Sequence, residues 1–427
     1  MRIAVVGSGI AGLGAAWLLG RAHEVTLFEA NDYLGGHTHT HDVEQDGCRY
    51  AVDTGFIVHN AAHYPLLTRL FAELGVATRD TQMSFSVRNE CSGLEYNATR
   101  LGTLFCQRRN LVSPRFYGML RDIVRFYREA PELLDSGAPD PTLAEYLDAR
   151  RYGAAFRDDH LVPMAAALWS APPGAVLGFP ARFLVRFMAN HHMLRLSGRP
   201  PWRVVVGGSA TYVRALGARW RVRVRTGCPV RSARRDDAGV TLDSAAGRER
   251  YDRLVLACHS DQALRILADA SSAERAVLGA IGYQRNEVVL HTDATFLPTR
   301  RRAWAAWNAL VPDVADRPAS VSYCMNLLQG LESRAPFVVT LNPSRPVDTA
   351  RVLRRLAYEH PLFTPAAVAA QARRTEIQGR RHTWFAGAYW GFGFHADGLR
   401  SGVEVARALG VDWDDEVRPA GYAEVAA

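Results

Sequence analysis

The 427-residue chain carries 48% hydrophobic and 22% charged residues, near average globular usage, and it exceeds the ~250–300 residues at which one core stops growing. A formal net charge of +8 comes with scattered arginines and no nucleic-acid motif, so nucleic acid is not expected as a partner. All 51 side chains counted as lysine or arginine are arginine, which excludes Schiff-base chemistry and lysine general bases. The six cysteines, Cys48, Cys91, Cys106, Cys228, Cys258 and Cys324, lie far apart without CxxC pairs. Neither a metal centre nor a disulfide framework is expected. Met1 to Gly7 run straight into a β pattern, and no stretch reaches the ~18 apolar residues of a membrane span. The expectation is therefore a cytoplasmic protein without a leader.

In chain order, Arg2 to Val6 is a short apolar run rich in β-branched residues, as a buried parallel strand requires. Gly7-Ser8-Gly9-Ile10-Ala11-Gly12 follows and continues with helical periodicity through Leu19. Gly7 allows a tight turn, Gly9 lets backbone approach a pyrophosphate, and Gly12 lets the helix pack against the strand. A second strand, Glu24 to Phe28, ends at Glu29, seventeen residues beyond Gly12. That carboxylate is placed to accept hydrogen bonds from an adenosine ribose. Together these elements predict a dinucleotide-binding βαβ unit.

After Glu29 and Ala30 come Gly35-Gly36-His37, then Asp53-Thr54-Gly55-Phe56. Near the other end are Trp384-Phe385-Ala386-Gly387-Ala388 and Gly393-Phe394-His395-Ala396-Asp397-Gly398-Leu399. These segments resemble the flavin-containing amine oxidase superfamily over essentially the whole chain. The resemblance implies an α/β fold: a glutathione-reductase-like Rossmann FAD-binding domain of residues 1–80, 200–270 and 375–427, and an inserted α+β substrate domain of residues 81–199 and 271–374. It implies non-covalent FAD held by Gly7, Ser8, Gly9, Ile10, Ala11 and Gly12, by Glu29, Ala30, Gly35, Gly36 and His37, and by Thr54, Gly55 and Phe56. Val230 and Cys258 in mid-chain, and Gly387, Asp397, Gly398 and Leu399 near the end, complete that set. The resemblance further implies that the last helix directs its N-terminus at the flavin pyrimidine, where its dipole would favour negative charge. Two departures stand out: His37 occupies the place of a common arginine, and Ala388 that of a common glutamate.

The set Asp53 to Asn60, Trp304 to Asn308 and Gly393 to Leu399 narrows the resemblance to a bacterial branch of predicted NAD/FAD-binding proteins. Members of that branch are implicated in desaturating methyl-branched fatty acyl chains on the way to furan fatty acids. The implied activity is dehydrogenation of a methyl-branched or unsaturated acyl chain by hydride transfer to flavin N5. Its implied partners are a lipid substrate and a neighbouring lipid methyltransferase. The catalytic candidates are His395, Tyr389, Trp390 and His291; a histidine beside the ring is a proton acceptor. The Phe- and Met-rich segment Arg182 to Met193 is either a core helix with snorkelling arginines or one that lines an apolar tunnel or lies on the inner membrane surface. Trp304, Trp307 and Asn308 form either a cavity wall or an aromatic core. Two other functions stay open: an amine oxidase giving imine and peroxide, disfavoured by the lack of lysine, and a flavoprotein without turnover that serves a lipid-modifying enzyme.

Overall fold

The computed structural model describes residues 1–135, 137–313 and 320–413. Strand Arg2–Val6 pairs in parallel with Glu24–Phe28 on one side and Arg253–Leu256 on the other. Val222–Arg225 and Thr383–Phe385 extend this sheet at its two edges. A strand paired on both sides and covered on both faces must be apolar, and Ile3 to Val6 and Val25 to Phe28 are all buried. The five strands come from widely separated stretches, so the sheet closes only when both ends of the chain and its middle have come together.

Helix Ile10–Leu19 leaves the first strand through Gly9 and buries nine of its ten residues. Helix His395–Ala408 lies against it, and glycines set the separation. A Cβ on Gly402 would stand 2.2 Å from Ala11 O, one on Gly14 2.5 Å from Leu399 Cδ1, and one on Gly398 2.7 Å from Ile10 Cγ2. The contact between Ile10 and Gly398 joins the two first turns, so both helix N-termini open on one place.

A seven-stranded sheet covers this domain. Its order is Val352–Pro361, Tyr283–His291, Val338–Leu341, Ser320–Cys324, Trp307–Val311, Phe85–Asn89 and Leu94–Asn97. Trp307 pairs in parallel with Phe85, tying the two inserted stretches into one layer. Helices dominate residues 101–190. Helix Ala181–Asn190 buries Phe183, Leu184, Val185, Phe187 and Met188, while Arg182 donates to the carbonyls of Leu133 and Ala138. Of the expectations for this segment, the one that lays it on a membrane surface is therefore corrected: the helix turns its apolar residues into the protein. Among the described residues no helix is long and apolar enough to cross a membrane.

Because Gly402 admits no Cβ, Gly402→Val is expected to cost about 1–3 kcal/mol of stability through overpacking. A Cβ on Gly118 would meet nothing within 4 Å, and Gly118→Ala in its helix is expected to add about 0.5–1 kcal/mol. Urea unfolding midpoints of the two variants check both signs.

Candidate cofactor and substrate site

The site begins where the first strand ends. Gly7 adopts φ +102°, and a Cβ there would lie 2.7 Å from Ala257 O and 3.0 Å from Cys258 N. A Cβ on Gly12 would lie 1.9 Å from Gly7 O, so the turn is as tight as backbone permits. Glu29 is buried at the end of the second strand; one oxygen accepts from Ser8 N at 2.9 Å and Ser8 Oγ at 2.6 Å, the other from Asn31 N at 2.9 Å. Ala30, beside it, is exposed. Cys228 N donates to Glu29 O at 2.8 Å, bringing the strand that starts at Val230 up to this edge. Gly35 (φ +122°) and Gly36 (φ +59°) fold back over the turn, with Gly35 N donating to Ser8 O at 3.1 Å.

A dinucleotide fits these groups. Gly9 heads the first helix with no side-chain cap and no acid in the first turn, and a Cβ there would meet nothing within 4 Å. The first-turn N–H groups of Ile10, Ala11 and Gly12 thus face open space, which an anionic diphosphate suits. His37 Nε2 and Tyr389 Oη are buried without hydrogen-bond partners among the described residues, a costly state that a bound polar group relieves.

A second set of side chains gathers where the two helices meet. Tyr212 Oη lies 2.6 Å from Thr38 Oγ1 and 2.8 Å from His395 Nε2. Phe56 stacks on the His395 ring at 3.8 Å, with 10° between planes. Burial pushes His395 down to about 3, with His59 adding to the effect, so its imidazole is neutral at physiological pH. Asp53 positions Tyr212 from beneath. Its carboxylate accepts from Ser209 N at 2.9 Å and Ser209 Oγ at 2.8 Å, at the head of helix Ala210–Gly217, and from Gln329 Nε2 at 3.0 Å. Burial raises Asp53 to about 6 even against these donors. Thr54 Oγ1 lies 2.7 Å from Tyr358 Oη, and a Cβ on Gly55 would lie 2.1 Å from His37 O. The His37 ring packs near Tyr358, His360 and His259, and burial followed by the charges of these histidines holds it well below the usual range.

The last turn is fixed by Asp397, which accepts from Phe392 N and Phe394 N at 3.0 Å and from Arg400 Nη2 at 2.7 Å. Burial raises this carboxyl, and Arg400 opposes the rise. Gly387 N donates to Ser401 Oγ at 3.0 Å, holding the end of the last strand on the last helix, where Gly398 and Leu399 contact the first helix.

Of the catalytic candidates, only His395 joins the Thr38–Tyr212–Phe56 group. His291 is corrected to a sheet residue: its Nε2 lies 2.7 Å from Thr340 Oγ1, its Nδ1 accepts from Asp293 N, and its ring packs edge-on against Phe296. Trp390 is also structural, with Nε1 donating to Phe385 O at 3.0 Å inside a buried apolar cluster. Tyr389 lies in that same cluster with its hydroxyl unpartnered among the described residues. Asn308 is a satisfied sheet hub that bonds Ser86, Ala305 and Ser322, so it does not line a wall. Thr38, Asp53, Tyr212 and Tyr358 join the site without having been expected there as functional side chains. The one sequence signal for Tyr212 is its place three residues after Ser209, one helical turn past the glycine pair Gly207-Gly208 of positive φ.

A parallel sheet with two glycine-crossed helices and an inserted mixed sheet is the architecture of a dinucleotide-dependent oxidoreductase. The sequence model of the family described as flavin containing amine oxidoreductase matches residues 10–341. The chain belongs to that family and is a flavin-dependent oxidoreductase. It is 29% identical over 315 residues to carotenoid phi-ring synthase of Streptomyces griseus, covering 70% of this chain and 59% of the relative's length. The fold is similar to a fatty acid isomerase from P. acnes that produces CLA (TM-score 0.66, 17% identity, 96% of this chain and 99% of the other). It is also similar to cyclohexylamine oxidase from Brevibacterium oxydans IH-35A (TM-score 0.69, 16% identity, 96% and 98%).

Gly9→Ala is expected to fold as the parent does, since its extended backbone suits alanine, yet to retain flavin about tenfold less well because the methyl group crowds the approach to the helix N-terminus. Equilibrium dialysis with flavin checks this. Burial also sets the acid limit of the fold. His63 and His360 are pushed to about 4 and His191 and His395 to about 3, from 6.5. In the unfolded chain they take up protons near pH 6.5, so stability present above that pH is lost as pH falls toward 4. Asp53, raised from 3.8 to about 6, and Asp397, raised by burial, act in the opposite sense but are outnumbered by the histidines, since His41, His59, His160 and His291 are also lowered to about 4. The melting temperature is expected to fall steadily from pH 7 to pH 5, with a shallower slope in His360→Gln.

Proposed function

We propose that the chain binds FAD without a covalent bond and dehydrogenates a methyl-branched or unsaturated fatty acyl chain. The observation that carries this proposal is the buried aromatic cluster beside His395. Phe394, its neighbour in sequence, stacks on Phe187 at 4.8 Å; Trp169 packs on Phe187 at 4.8 Å, and Phe183 stacks on Phe363 at 4.7 Å. An aromatic cluster of this kind attracts a long hydrocarbon and gives an ammonium group no carboxylate to pair with. The absence of lysine from the sequence removes one way of holding a water for amine oxidation. The carotenoid-modifying relative and the fatty-acid-transforming structure support an apolar substrate.

Bound flavin supplies a two-electron acceptor. The side chains then position the substrate and handle its proton. His395, neutral through burial, is a poor base, so its role is to fix the Tyr212 hydroxyl by the 2.8 Å contact. With the hydride going to the flavin, the substrate's proton would pass by way of Tyr212 Oη and Thr38 Oγ1 to a water as its final acceptor. At the edge of the cluster, His63 lies 4.8 Å from His191, which stacks on Phe187 at 4.0 Å. His59 Nδ1, Asn60 Nδ2 and both ring nitrogens of His63 are buried without partners among the described residues. These neutral groups suit the polar end of an acyl substrate. A lipid methyltransferase is the class of enzyme that supplies a methyl-branched chain.

The test is anaerobic: flavin-loaded protein mixed in turn with methyl-branched unsaturated lipid, saturated lipid and polyamines, followed by flavin absorbance. Bleaching is expected with the first alone, slowed about 10²-fold or more in Tyr212→Phe, the order of one positioned acid–base group. Bleaching by polyamines, with peroxide formed once air is admitted, would point to amine oxidation instead. Failure of every substrate would point to a flavoprotein without turnover.

A further inference from the structure

We propose that the outer face of residues 101–124, together with the tip of loop 193–200, docks on an anionic lipid bilayer surface. Five of the nine exposed large hydrophobic side chains among the described residues fall within residues 101–124: Leu101, Leu111, Val112, Tyr117 and Val124. Such clustering is not the single scatter normal on a soluble surface. Leu101 is 76% and Val112 81% exposed, with Leu196 on the loop at 75%.

These residues form one face. Phe105 N donates to Leu101 O, the Phe105 ring lies 6.2 Å from that of Tyr117, and Tyr117 Oη donates to Leu111 O at 3.1 Å. In helix Pro114–Glu129, Phe116, Met119, Ile123 and Phe126 are buried. Tyr117, Arg121, Val124 and Arg128 follow at spacings of four, three and four on the opposite side. The base of the loop is tied to the core side of this helix, where Arg199 lies close enough to the half-buried Tyr127 to act on its hydroxyl.

Charge identifies the occupant. From Arg100 to Arg128 there are seven arginines and one acid, Asp122, which is buried. Arg121 and Arg125 share that carboxylate and Arg115 reaches Asp159. Among the described residues no carboxylate pairs with Arg100, Arg108, Arg109 or Arg128. Here arginines alternate with apolar side chains on one helix face, the pattern that sinks apolar tips below lipid headgroups while guanidinium groups meet phosphates. The loop that carries Leu196 follows helix Ala181–Asn190, which supplies Phe183 and Phe187 to the aromatic cluster. Docking by this face uses only these surface side chains. It does not depend on which substrate is oxidised.

The test is co-sedimentation of the flavin-loaded full chain with vesicles of phosphatidylcholine alone or mixed with phosphatidylglycerol. Binding is expected only to the mixed vesicles and is expected to weaken as salt rises. The doubles Leu111→Asp/Val112→Asp and Arg108→Glu/Arg128→Glu should each partition about tenfold less with unchanged flavin absorbance and melting temperature. Should the first double fail to fold, the second alone decides. Parent protein that stays in the supernatant with anionic vesicles, or variants that bind as the parent does, would overturn the proposal. So would a dimer that the same substitutions dissociate, since the face would then be covered by a second copy.

Discussion

Everything in this molecule depends on the contact between helices Ile10–Leu19 and His395–Ala408, built from opposite ends of the chain. Three glycines let their backbones meet where any larger residue would collide, and Gly398 against Ile10 aligns the two first turns. Two helix dipoles then present their positive ends to the same space. The first suits a diphosphate; the second suits the negative charge that a reduced flavin ring carries. The loop between strand Thr383–Phe385 and the second helix is drawn in by this contact, and with it come Phe392, Phe394 and His395.

Around that contact the polar groups are arranged to be neutral and immobile. Asp53 is buried, yet it accepts hydrogen bonds from Thr40, Ser209 and Gln329, so its cost is offset by bonds that lock the helix carrying Tyr212. His395 and His37 are kept neutral by the same burial. In a low-dielectric site, neutral hydrogen-bonding groups fix positions without competing for a redox electron pair, while an unpaired charge would be expensive. Position 37 holds a histidine where an arginine is common in the superfamily, and the burial of that ring beside His360 and Tyr358 fits an uncharged neighbour.

Local rules make the two ends of the site legible. The run Gly7 to Gly12 with Glu29 has one physical use at that spacing, and the glycines near 398 announce close packing from their position in a helix. The roles of Tyr212, Asp53 and Thr38 are not legible, because their proximity is created by pairings across 156 residues (Asp53 with Ser209) and 183 residues (Tyr212 with His395). No periodicity reports such distances. His291 misleads for the opposite reason: a histidine in an apolar strand looks reactive in sequence, but in the sheet both its nitrogens are already bonded. The amphipathic pattern alone does not tell a buried helix from a surface one. Arg182 to Met193 is apolar because it is buried, whereas Pro114 to Glu129, less apolar overall, leaves its mixed face outside.

The two chain ends meet in one site, and the proposed occupant is a flavin adenine dinucleotide held without a covalent bond. The most direct measurement is acid denaturation of the purified yellow protein, followed by chromatography of the supernatant and absorbance of the pellet. FAD is expected in the supernatant, equimolar with the chain, over a colourless pellet. FMN in its place, flavin left in the pellet, or a protein that neither carries nor takes up flavin would contradict it.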